Sequence, residues 1–487
     1  MRLSKRVGEW HSAWCQQTKL KRLPHQVRAL EWAAAIEAGI GESSVLTRRG
    51  GVLADEMGLG KTMVALALML FHPKQHQLVV VPKVLLAQWR DVIRSRLGHT
   101  ALVFHGQAAK KITEESLTAA PIVITTYGMI AERKRPTPTT LLLSKQSWGR
   151  VVFDEAHHIR NRKNNFTGAA EIKTEKLWLL TGTPIQNSRR DIQPLWILLG
   201  FSAHQFGQPD FEQKLIQHLV LHRTKQSVGL STLQPVEQNI NCEWTDQGEQ
   251  DLSDQFHSTL QCMLTKREAT IRSSVSAFSK STLCALVRCR QMCVTAQLLI
   301  DDLQGLENKW KEKQPEKVDT EIALPKLKRG SKIAEVCEHL ISGLGDKQEE
   351  KRRKLVFCHY LGSMDIIEQR VLAAGYTIGR ISGKTSQRDR RAILTELPQV
   401  LLLQIRTGCE GLNLQEYSDV YFVTPHWNPA VEEQAIGRCD RIGQTKRVRV
   451  FRFVMNNTGS DGISLDQLCV RTQFIKQEEA KIVPIQS

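Results

Sequence analysis

The stretch GVLADEMGLGKT combines residue types that can hold a phosphate group. Gly58 and Gly60 let backbone N–H groups approach phosphate oxygens, and a helix that starts after them adds the positive end of its dipole. Lys61 would reach the terminal phosphates, and the hydroxyl of Thr62 would bind Mg²⁺. The usual spacing has a glycine where Asp55 stands. A glycine-rich turn before a helix, without a ligand, is the alternative interpretation.

A second stretch, RVVFDEAHHIRN, ends a run of apolar strand residues with the carboxylates of Asp154 and Glu155. Ligand crevices of open α/β sheets lie at the carboxyl ends of their strands. At such an edge Asp154 would hold Mg²⁺, directly or through water, and Glu155 would orient and activate an attacking water. Acidic residues after a strand can also cap a helix. Taken with the preceding glycine-rich stretch, the pair predicts hydrolysis of a nucleoside triphosphate.

The elements that must position these residues are visible as short apolar runs that alternate with longer amphipathic stretches, as in a mostly parallel α/β sheet. Predicted strands contain GVLAD, QLVVVP, PIVITTY, RVVFDE and LWLLTG, and later KLVFC, VLLLQI, DVYFVT and RVRVFRFV. Between the two sets, the sequence predicts helices and then a charged, proline-containing linker. We therefore predict two α/β lobes, 1–239 and 331–487, with a helical insertion and linker at 240–330. A terminal helix is expected to pack back on the body.

Composition favours a polyanionic partner. The 487 residues include 67 Lys and Arg against 50 Asp and Glu, a formal charge of +17. Such an excess makes nucleic acid the first candidate, and a basic protein without such a partner is the alternative. Eleven cysteines without regular pairing and the lack of a signal peptide predict an intracellular location. That location would be the nucleus if the source is eukaryotic, and a viral source is also compatible. The apolar runs are too short for a membrane span.

Together, DEMGLGKT, DEAHHIRN and LTGTPIQN resemble the nucleotide-binding lobe of superfamily-two helicase-like ATPases, specifically the Swi/Snf-type branch. The phosphate loop of that branch has an aspartate at the place of Asp55, so the unusual spacing is the branch's own form. The resemblance implies two tandem RecA-like lobes with ATP and Mg²⁺ as cofactors, and it places Gln26 on the adenine base. It also implies that Thr125, Thr126 and His105 contact the nucleic-acid backbone.

The stretch QAIGRCDRIGQ resembles the sixth motif of the same branch. Its two arginines, Arg438 and Arg441, would share one face if the segment were helical, and the resemblance implies that they act as arginine fingers on the transferring phosphoryl group. A basic surface run is the alternative. Asp440 stands where the branch usually has histidine, which lowers the local positive charge. Gln434 and, in the fifth-motif stretch GCEGLNL, Gly411 are expected to contact the nucleotide.

GRISGKTSQRDR and HWNPAVEEQA resemble further motifs of the second lobe. They imply DNA contacts from Ser382, Gly383, Lys384 and Trp427, although Trp427 could equally be a core residue. The expected activity is ATP-dependent translocation on double-stranded DNA, which displaces or remodels DNA-bound proteins in chromatin or DNA repair. Nucleosomes, other DNA-bound proteins and complex subunits are the further partners expected. A strand-separating helicase and a non-catalytic DNA-binding scaffold on the same fold are the alternatives.

Overall fold

Two compact units, each with its own parallel sheet, make up the chain. The computed structural model describes residues 2–47, 49–132, 138–160, 163–186, 188–230, 234–265, 280–302, 304, 330–345, 352–405, 412–441, 443–456, 462–481 and 483–485. The first unit is Met1–Thr232 with Glu478–Ser487, and the second is Leu233–Gln477. The predicted α/β class with two parallel-sheet lobes is confirmed.

Seven parallel strands form the centre of the first unit. They are β1 Gly50–Leu53, β2 Gln77–Val81, β3 Leu102–Phe104, β4 Ile122–Thr126, β5 Ser147–Asp154, β6 Lys173–Leu180 and β7 Val220–Leu221. Their order across the sheet is β3-β4-β2-β5-β6-β1-β7. Every residue of β2 and β4 is buried, as expected where both faces of a parallel sheet are covered.

Six parallel strands form the sheet of the second unit. They are β8 Val236–Cys242, β9 Arg353–Cys358, β10 Ile378–Ile381, β11 Val400–Gln404, β12 Tyr417–Phe422 and β13 Arg449–Met455. Their order is β10-β11-β9-β12-β13-β8. Strand β8 pairs with β13 along its whole length, so the second sheet begins at Val236, a few residues ahead of the lobe boundary predicted after residue 239.

Helices connect the strands in both units. In the first unit they are Arg2–Thr18, Pro24–Ala38, Ser43–Leu46, Lys61–Phe71, Leu86–Leu97, Glu114–Ala119, Tyr127–Ile130, Pro138–Lys145, His157–Arg160, Lys163–Ala170, Gln193–Leu198, Ala203–Phe206 and Pro209–Leu219. In the second they include Gln247–Thr265, Lys280–Val294, Ser331–Gly345, Leu361–Ala373, Gln387–Glu396, Pro429–Ile436 and Leu465–Ala480, whose last three residues fall in the first unit. Within the described residues, none of the helices is long and apolar enough to cross a membrane.

The helices predicted between the lobes belong to the core of the second unit. Helix Gln247–Thr265 contributes Leu260 to the same apolar cluster as Cys289 from helix Lys280–Val294. That cluster also contains Val356 of β9. The helical segment is therefore packed against the second sheet.

A buried ion pair ties helix Pro24–Ala38 to β5. Arg150 donates from Nε to Oε1 of Glu37 at 2.9 Å and from Nη2 to Oε2 at 2.5 Å, and both side chains are fully buried. His72 and Trp178 also bond to this carboxylate, at 2.7 and 2.8 Å. Burial alone would raise the pKa of Glu37, but the hydrogen bonds of His72 and Arg150 and the Arg150 charge outweigh it and lower the pKa to about 2.

Arg150→Met is expected to lower the free energy of unfolding by about 3–5 kcal/mol, because it leaves the Glu37 carboxylate buried without its cation. The matched control is Arg90→Met, at an exposed arginine of the same unit that pairs with the exposed Asp91. That change should alter the free energy by less than about 1 kcal/mol. Denaturant unfolding at pH 7 measures both variants.

The same pair gives a pH dependence. The pKa of Glu37 lies lower in the folded protein than its ordinary value of 4.5. Its contribution to stability is therefore present above pH 4.5 and is lost as the pH falls through the folded value of about 2. The stability difference between wild type and Arg150→Met should narrow over this window. A difference that stays constant down to pH 2 would contradict the role given to the pair.

Candidate functional site

Three neighbouring strands bring the predicted phosphate loop and carboxylates together. Strands β5, β6 and β1 are adjacent and parallel, so their carboxyl ends lie at one edge of the sheet. There β1 leads into residues 54–60, β5 ends at Asp154, and β6 leads into residues 181–186. A Cβ atom on Gly182 would lie 3.5 Å from Nζ of Lys61. The loop after β6 therefore borders the predicted phosphate-binding lysine.

Glycines shape the loop ahead of helix Lys61–Phe71. Gly58 has φ +96° and Gly60 has φ +87°, a backbone region that glycine adopts without steric penalty. Lys61 is the first residue of the helix, and its Nζ donates to the backbone oxygen of Asp55 at 2.6 Å. The ammonium group and the helix N-terminus thus face the same loop, and Thr62 follows in the first turn.

The aspartate that stands at the usual glycine position has a buried partner. Arg223 donates from Nε and Nη2 to the two carboxylate oxygens of Asp55, at 2.9 and 2.5 Å, a bidentate geometry that fixes both groups. Nη1 of the same arginine donates to the backbone oxygen of His25 at 2.7 Å. The pair ties the start of the phosphate loop to the segment after β7 and to helix Pro24–Ala38.

Gln26 lies against the phosphate loop. Its Nε2 donates to the backbone oxygen of Leu59 at 3.1 Å, and a ring nitrogen of His25 lies 3.0 Å from the same oxygen. A Cβ atom on Gly60 would approach Nε2 of Gln26 to 2.3 Å, so a side chain at residue 60 would require the amide of Gln26 to move. The structure places the predicted base-reading residue beside the loop, while its contact with adenine stays a prediction.

Hydrogen bonds hold the two carboxylates at the end of β5. Trp89 donates from Nε1 to Oδ2 of Asp154 at 2.7 Å, and the backbone N–H of Glu155 donates to Oδ1 at 3.0 Å. The hydroxyl of Tyr127 donates to the backbone oxygen of Asp154 at 2.7 Å. Glu155 itself has φ +52°, a strained conformation for a residue with a side chain and one that clusters at functional sites.

Charge at this edge is arranged in favour of a cation. Burial raises the pKa of Asp154, and the neighbouring charge of Glu155 raises it further, to about 6, against the opposing effects of the Trp89 hydrogen bond and the Lys61 charge. A carboxyl whose pKa is raised in this way is typical of a functional site rather than of a structural ion pair. A bound divalent cation would relieve the repulsion between the two carboxylates.

The side chains present fit Mg²⁺ that arrives with a nucleotide. Mg²⁺ is usually held by one or two carboxylates and by substrate phosphates, and it keeps several waters. Asp154 and Thr62 are the residues that would hold it. Among the residues that the structure describes, no three His, Cys, Asp or Glu side chains converge on a separate metal site.

The sequence does not assign Trp89 or Arg223 to the site. Trp89 lies 65 residues from Asp154 along the chain, and Arg223 lies 168 residues from Asp55. Neither belongs to a local pattern that signals such a contact. Only the folded sheet, which brings distant segments to one edge, shows these partners.

Two of the predicted DNA-contacting residues of the first unit lie together, and one is inside the sheet. Thr126 lies at the end of β4, and its Oγ1 is 3.1 Å from Nδ1 of His105. Burial lowers the pKa of His105, as does the nearby charge of Lys83. Thr125 has no exposed surface, and its hydroxyl donates to the backbone oxygen of Phe104 at 2.8 Å. Their contacts with nucleic acid stay predictions.

In the second unit, helix Pro429–Ile436 ends before the two predicted arginine fingers. Arg438 and Arg441 lie in the turns that follow, so they do not share a helical face as their spacing allowed. Arg438 is buried, and its backbone oxygen accepts a hydrogen bond from the N–H of Leu414 at 3.1 Å. Nε of Arg441 donates to the backbone oxygen of Gly437 at 2.9 Å. The bond to Leu414 ties the arginine turn to the segment before β12, and the bond to Gly437 lies within the turn.

The remaining second-unit predictions fall at the carboxyl end of the second sheet. Ser382 follows β10, is buried and receives a hydrogen bond from the backbone N–H of Lys384 at 3.3 Å. Gly383 and Lys384 are exposed. Trp427 is half-buried and packs against the core of the unit. The contacts of these residues with DNA stay predictions.

Of the two nucleotide contacts predicted in the second unit, the structure describes Gln434 but not Gly411. Gln434 is buried, and its Nε2 has no hydrogen-bond partner among the described residues. An amide donor left over in a buried place is suited to a ligand. Gly411 lies outside the described residues. Asp440, at the position where the related motif has histidine, is buried beside Cys439 and Arg441.

Comparison with known families now identifies the chain. A parallel sheet whose strand leads through a glycine-rich loop into a helix that starts with Lys61 and Thr62 defines the P-loop class. Residues 25–298 match the model of the SNF2-related domain, and residues 331–443 match the helicase conserved C-terminal domain. Because the first match covers more than half of the chain, the protein belongs to the family of the SNF2-related domain. The family resemblance predicted from the motifs is confirmed.

Similar proteins come from plants, animals and yeast. DNA repair protein RAD5B of Arabidopsis thaliana is 24% identical over 84% of this chain and 44% of its own length. The human SWI/SNF-related matrix-associated actin-dependent regulator of chromatin subfamily A member 1 is 27% identical over 95% of this chain and 44% of its own. The yeast ISWI chromatin-remodeling complex ATPase ISW2 is 28% identical over 92% and 40%. The chain thus spans less than half the length of these relatives.

Among solved structures, the Sulfolobus solfataricus SWI2/SNF2 ATPase core in complex with dsDNA matches with a TM-score of 0.39 and 21% sequence identity. The match covers 96% of this chain and 98% of that one.

Gly60→Ala is expected to weaken binding of ATP by about tenfold or more. A residue with a side chain at φ +87° is strained by about 1–2 kcal/mol. Its Cβ would also lie 2.3 Å from Nε2 of Gln26 and would displace that side chain. Gly98→Ala is the matched control, because Gly98 also has positive φ but its Cβ would meet no described residue within 4 Å. Calorimetric titration with ATP measures both. Equal affinities in the two variants would contradict a close-packed loop at Gly60.

Proposed function

We propose that the chain is an ATP-dependent translocase on double-stranded DNA that displaces or remodels DNA-bound proteins. The observation that carries the proposal is the meeting of Lys61, Asp154 and Glu155 at one edge of the first sheet. Loss of catalysis on such a fold usually removes one of these groups, and all three are present. Retention of the set favours a working ATPase over a DNA-binding scaffold.

Each residue has a defined part in this proposal. Bound Mg²⁺ would neutralise charge on the phosphates. Thr62 and Asp154 would hold the ion, Lys61 would bind the terminal phosphates, and Glu155 would orient the attacking water and accept its proton. Gln26 reads the base.

Two arginines and a glutamine of the second unit complete the proposal. Arg438 and Arg441 are proposed to act on the transferring phosphoryl group, where a planar, always-charged guanidinium suits the charge on three oxygens. Gln434, with its buried free amide, is proposed as a nucleotide contact. The boundary after residue 239 and the role of 240–330 as an insertion and linker also remain proposals, although the second sheet starts earlier, at Val236.

Duplex DNA as the track is supported by the charge of +17 and by the family. Contacts to the backbone position a protein without reading sequence, which suits movement over any DNA. The named roles of the relatives in chromatin remodelling and DNA repair support nucleosomes or other DNA-bound proteins as substrates. They also support action with complex subunits and a nuclear location.

Steady-state ATP hydrolysis tests the proposal directly. The rate is measured at fixed low salt without nucleic acid and with single-stranded DNA, double-stranded DNA, duplex RNA or nucleosomes. Strong stimulation by duplex DNA supports a translocase, and a further rise with nucleosomes supports chromatin as the substrate. Stimulation by single strands alone would indicate a strand-separating helicase, which should also open a forked duplex. Absence of hydrolysis under every condition would indicate the scaffold.

Lys61→Ala should abolish ATP turnover and leave DNA binding largely in place, because the lysine lies in the phosphate loop. Lys110→Ala, at an exposed lysine of the same unit, is the control and should retain full turnover. Hydrolysis rates and fluorescence anisotropy of labelled duplex DNA measure the two properties. Unaltered hydrolysis in Lys61→Ala would overturn the assignment of the loop.

Arg441→Ala should permit ATP binding while hydrolysis falls by about 10³-fold or more, the usual effect of losing an arginine finger. Arg388→Ala, an exposed arginine of the same unit, should hydrolyse ATP normally. Binding of ATP and turnover at saturating duplex DNA distinguish the two steps. If Arg441→Ala loses only DNA affinity, the arginine belongs to the DNA-binding surface instead.

A further inference from the structure

A tryptophan outside the acidic motif reaches the proposed metal ligand. Trp89 lies on helix Leu86–Leu97 and is 1% exposed. Its Nε1 donates to Oδ2 of Asp154 at 2.7 Å. The indole N–H is a donor only, so this contact holds the oxygen as an acceptor. The backbone N–H of Glu155 holds the other oxygen at 3.0 Å.

Burial of an indole ring does not by itself require this acceptor. Trp148 of β5 is equally buried, and its Nε1 donates to the backbone oxygen of Leu143 at 3.0 Å. Trp196 is fully buried, and its Nε1 has no hydrogen-bond partner within the described part of the chain. The first unit therefore accommodates buried tryptophans with a backbone acceptor or with none, and Trp178 donates to the carboxylate of Glu37, which is paired with Arg150. Trp89 is distinguished because its acceptor is a carboxylate oxygen at the candidate site.

We propose that Trp89 is a positioning residue that fixes the orientation in which the Asp154 carboxylate binds Mg²⁺. The inference rests on the proposed function, since it takes Asp154 as the metal ligand. Two N–H donors occupy one acceptor position on each carboxylate oxygen. A carboxylate has about four such positions, so each oxygen keeps one for the ion or for a water bound to it.

Three hydrogen bonds hold Asp154, two on its carboxylate and one on its backbone. Trp89 and the N–H of Glu155 fix its two oxygens, and Tyr127 fixes the backbone of the same residue through a 2.7 Å bond to the carbonyl oxygen. Loss of the indole donor would free Oδ2 while the rest of the arrangement stays. Loss of such an outer partner typically lowers metal affinity by about 10–100-fold.

The test compares Trp89→Phe with Trp148→Phe and Trp196→Phe. All three remove the same volume from the core of one unit. Trp148→Phe also removes an indole hydrogen bond, and Trp196→Phe removes none. Thermal unfolding without nucleotide measures the packing loss of each, so that it can be separated from the effect on the metal.

Metal binding is read in two ways that do not depend on turnover. The first is the affinity for ATP in EDTA, which reports the phosphate loop alone. The second is the Mn²⁺ concentration that half-saturates the ATP-bound protein, followed by electron paramagnetic resonance of free Mn²⁺. Trp89→Phe should change the ATP affinity in EDTA by less than about twofold. It should raise the half-saturating Mn²⁺ concentration by about tenfold or more. Both controls should leave both values unchanged.

Replacement of Trp89 by 3-benzothienylalanine provides a second variant of nearly the same shape but without the N–H group. It should reproduce the loss of Mn²⁺ affinity while the unfolding temperature stays close to that of the wild type. Full Mn²⁺ affinity in this variant would show that the ring acts only by packing, and would overturn the inference.

The remaining outcomes separate the inference from the proposed function. If Trp89→Phe weakens ATP equally with and without metal, the tryptophan supports the loop rather than the carboxylate, and the inference fails alone. If the wild-type protein binds ATP with no dependence on a divalent cation, Asp154 is not a metal ligand. The inference about Trp89 and the proposed function then both fail.

Discussion

The parallel hydrogen bonding of β5, β6 and β1 is the constraint on which the candidate site depends. Because the three strands run in one direction, everything that follows each strand emerges at the same edge. The phosphate loop, the acidic pair and the loop that contains Gly182 are far apart in the sequence and meet there. A reversed strand would send one of these segments to the opposite edge. The common direction of the strands thus brings together segments that no local motif connects.

Three buried carboxylates of the chain, Glu37, Asp419 and Asp154, differ in what balances their charge. The pKa of Glu37 is lowered by its hydrogen bonds from His72 and Arg150 in spite of burial, and that of Asp419 is lowered by the hydrogen bond and charge of Arg449, also in spite of burial. Arginine side chains already neutralise both carboxylates, so Glu37 and Asp419 stabilise the fold. The pKa of Asp154 is raised by burial and by Glu155, and that carboxyl is left for a cation from outside.

Nine interior strands can be predicted from the sequence because strands buried on both faces need continuous Val, Ile and Leu. The four strands outside that prediction, β3, β7, β8 and β10, are the edges of the two sheets. They are very short or partly exposed, and β8, with the sequence VEQNINC, has mostly exposed residues. The loop and acidic residues of the site are predictable because their chemistry needs fixed local spacing. Trp89 and Arg223 are not, because their partners are distant in the chain, and the turn that holds Arg438 shows no periodic signal.

Strand β8 has a practical consequence for dividing the chain into parts. It precedes the helices that join the core of the second unit, yet it covers the outer edge of β13 along seven residue pairs. A fragment that began at residue 331, the predicted start of the second lobe, would leave the N–H and C=O groups of β13 bare. It would also lack Leu260 and Cys289 from its apolar cluster. Exposed strand edges of this kind promote association between chains, so a well-behaved fragment of the second unit has to begin ahead of Val236.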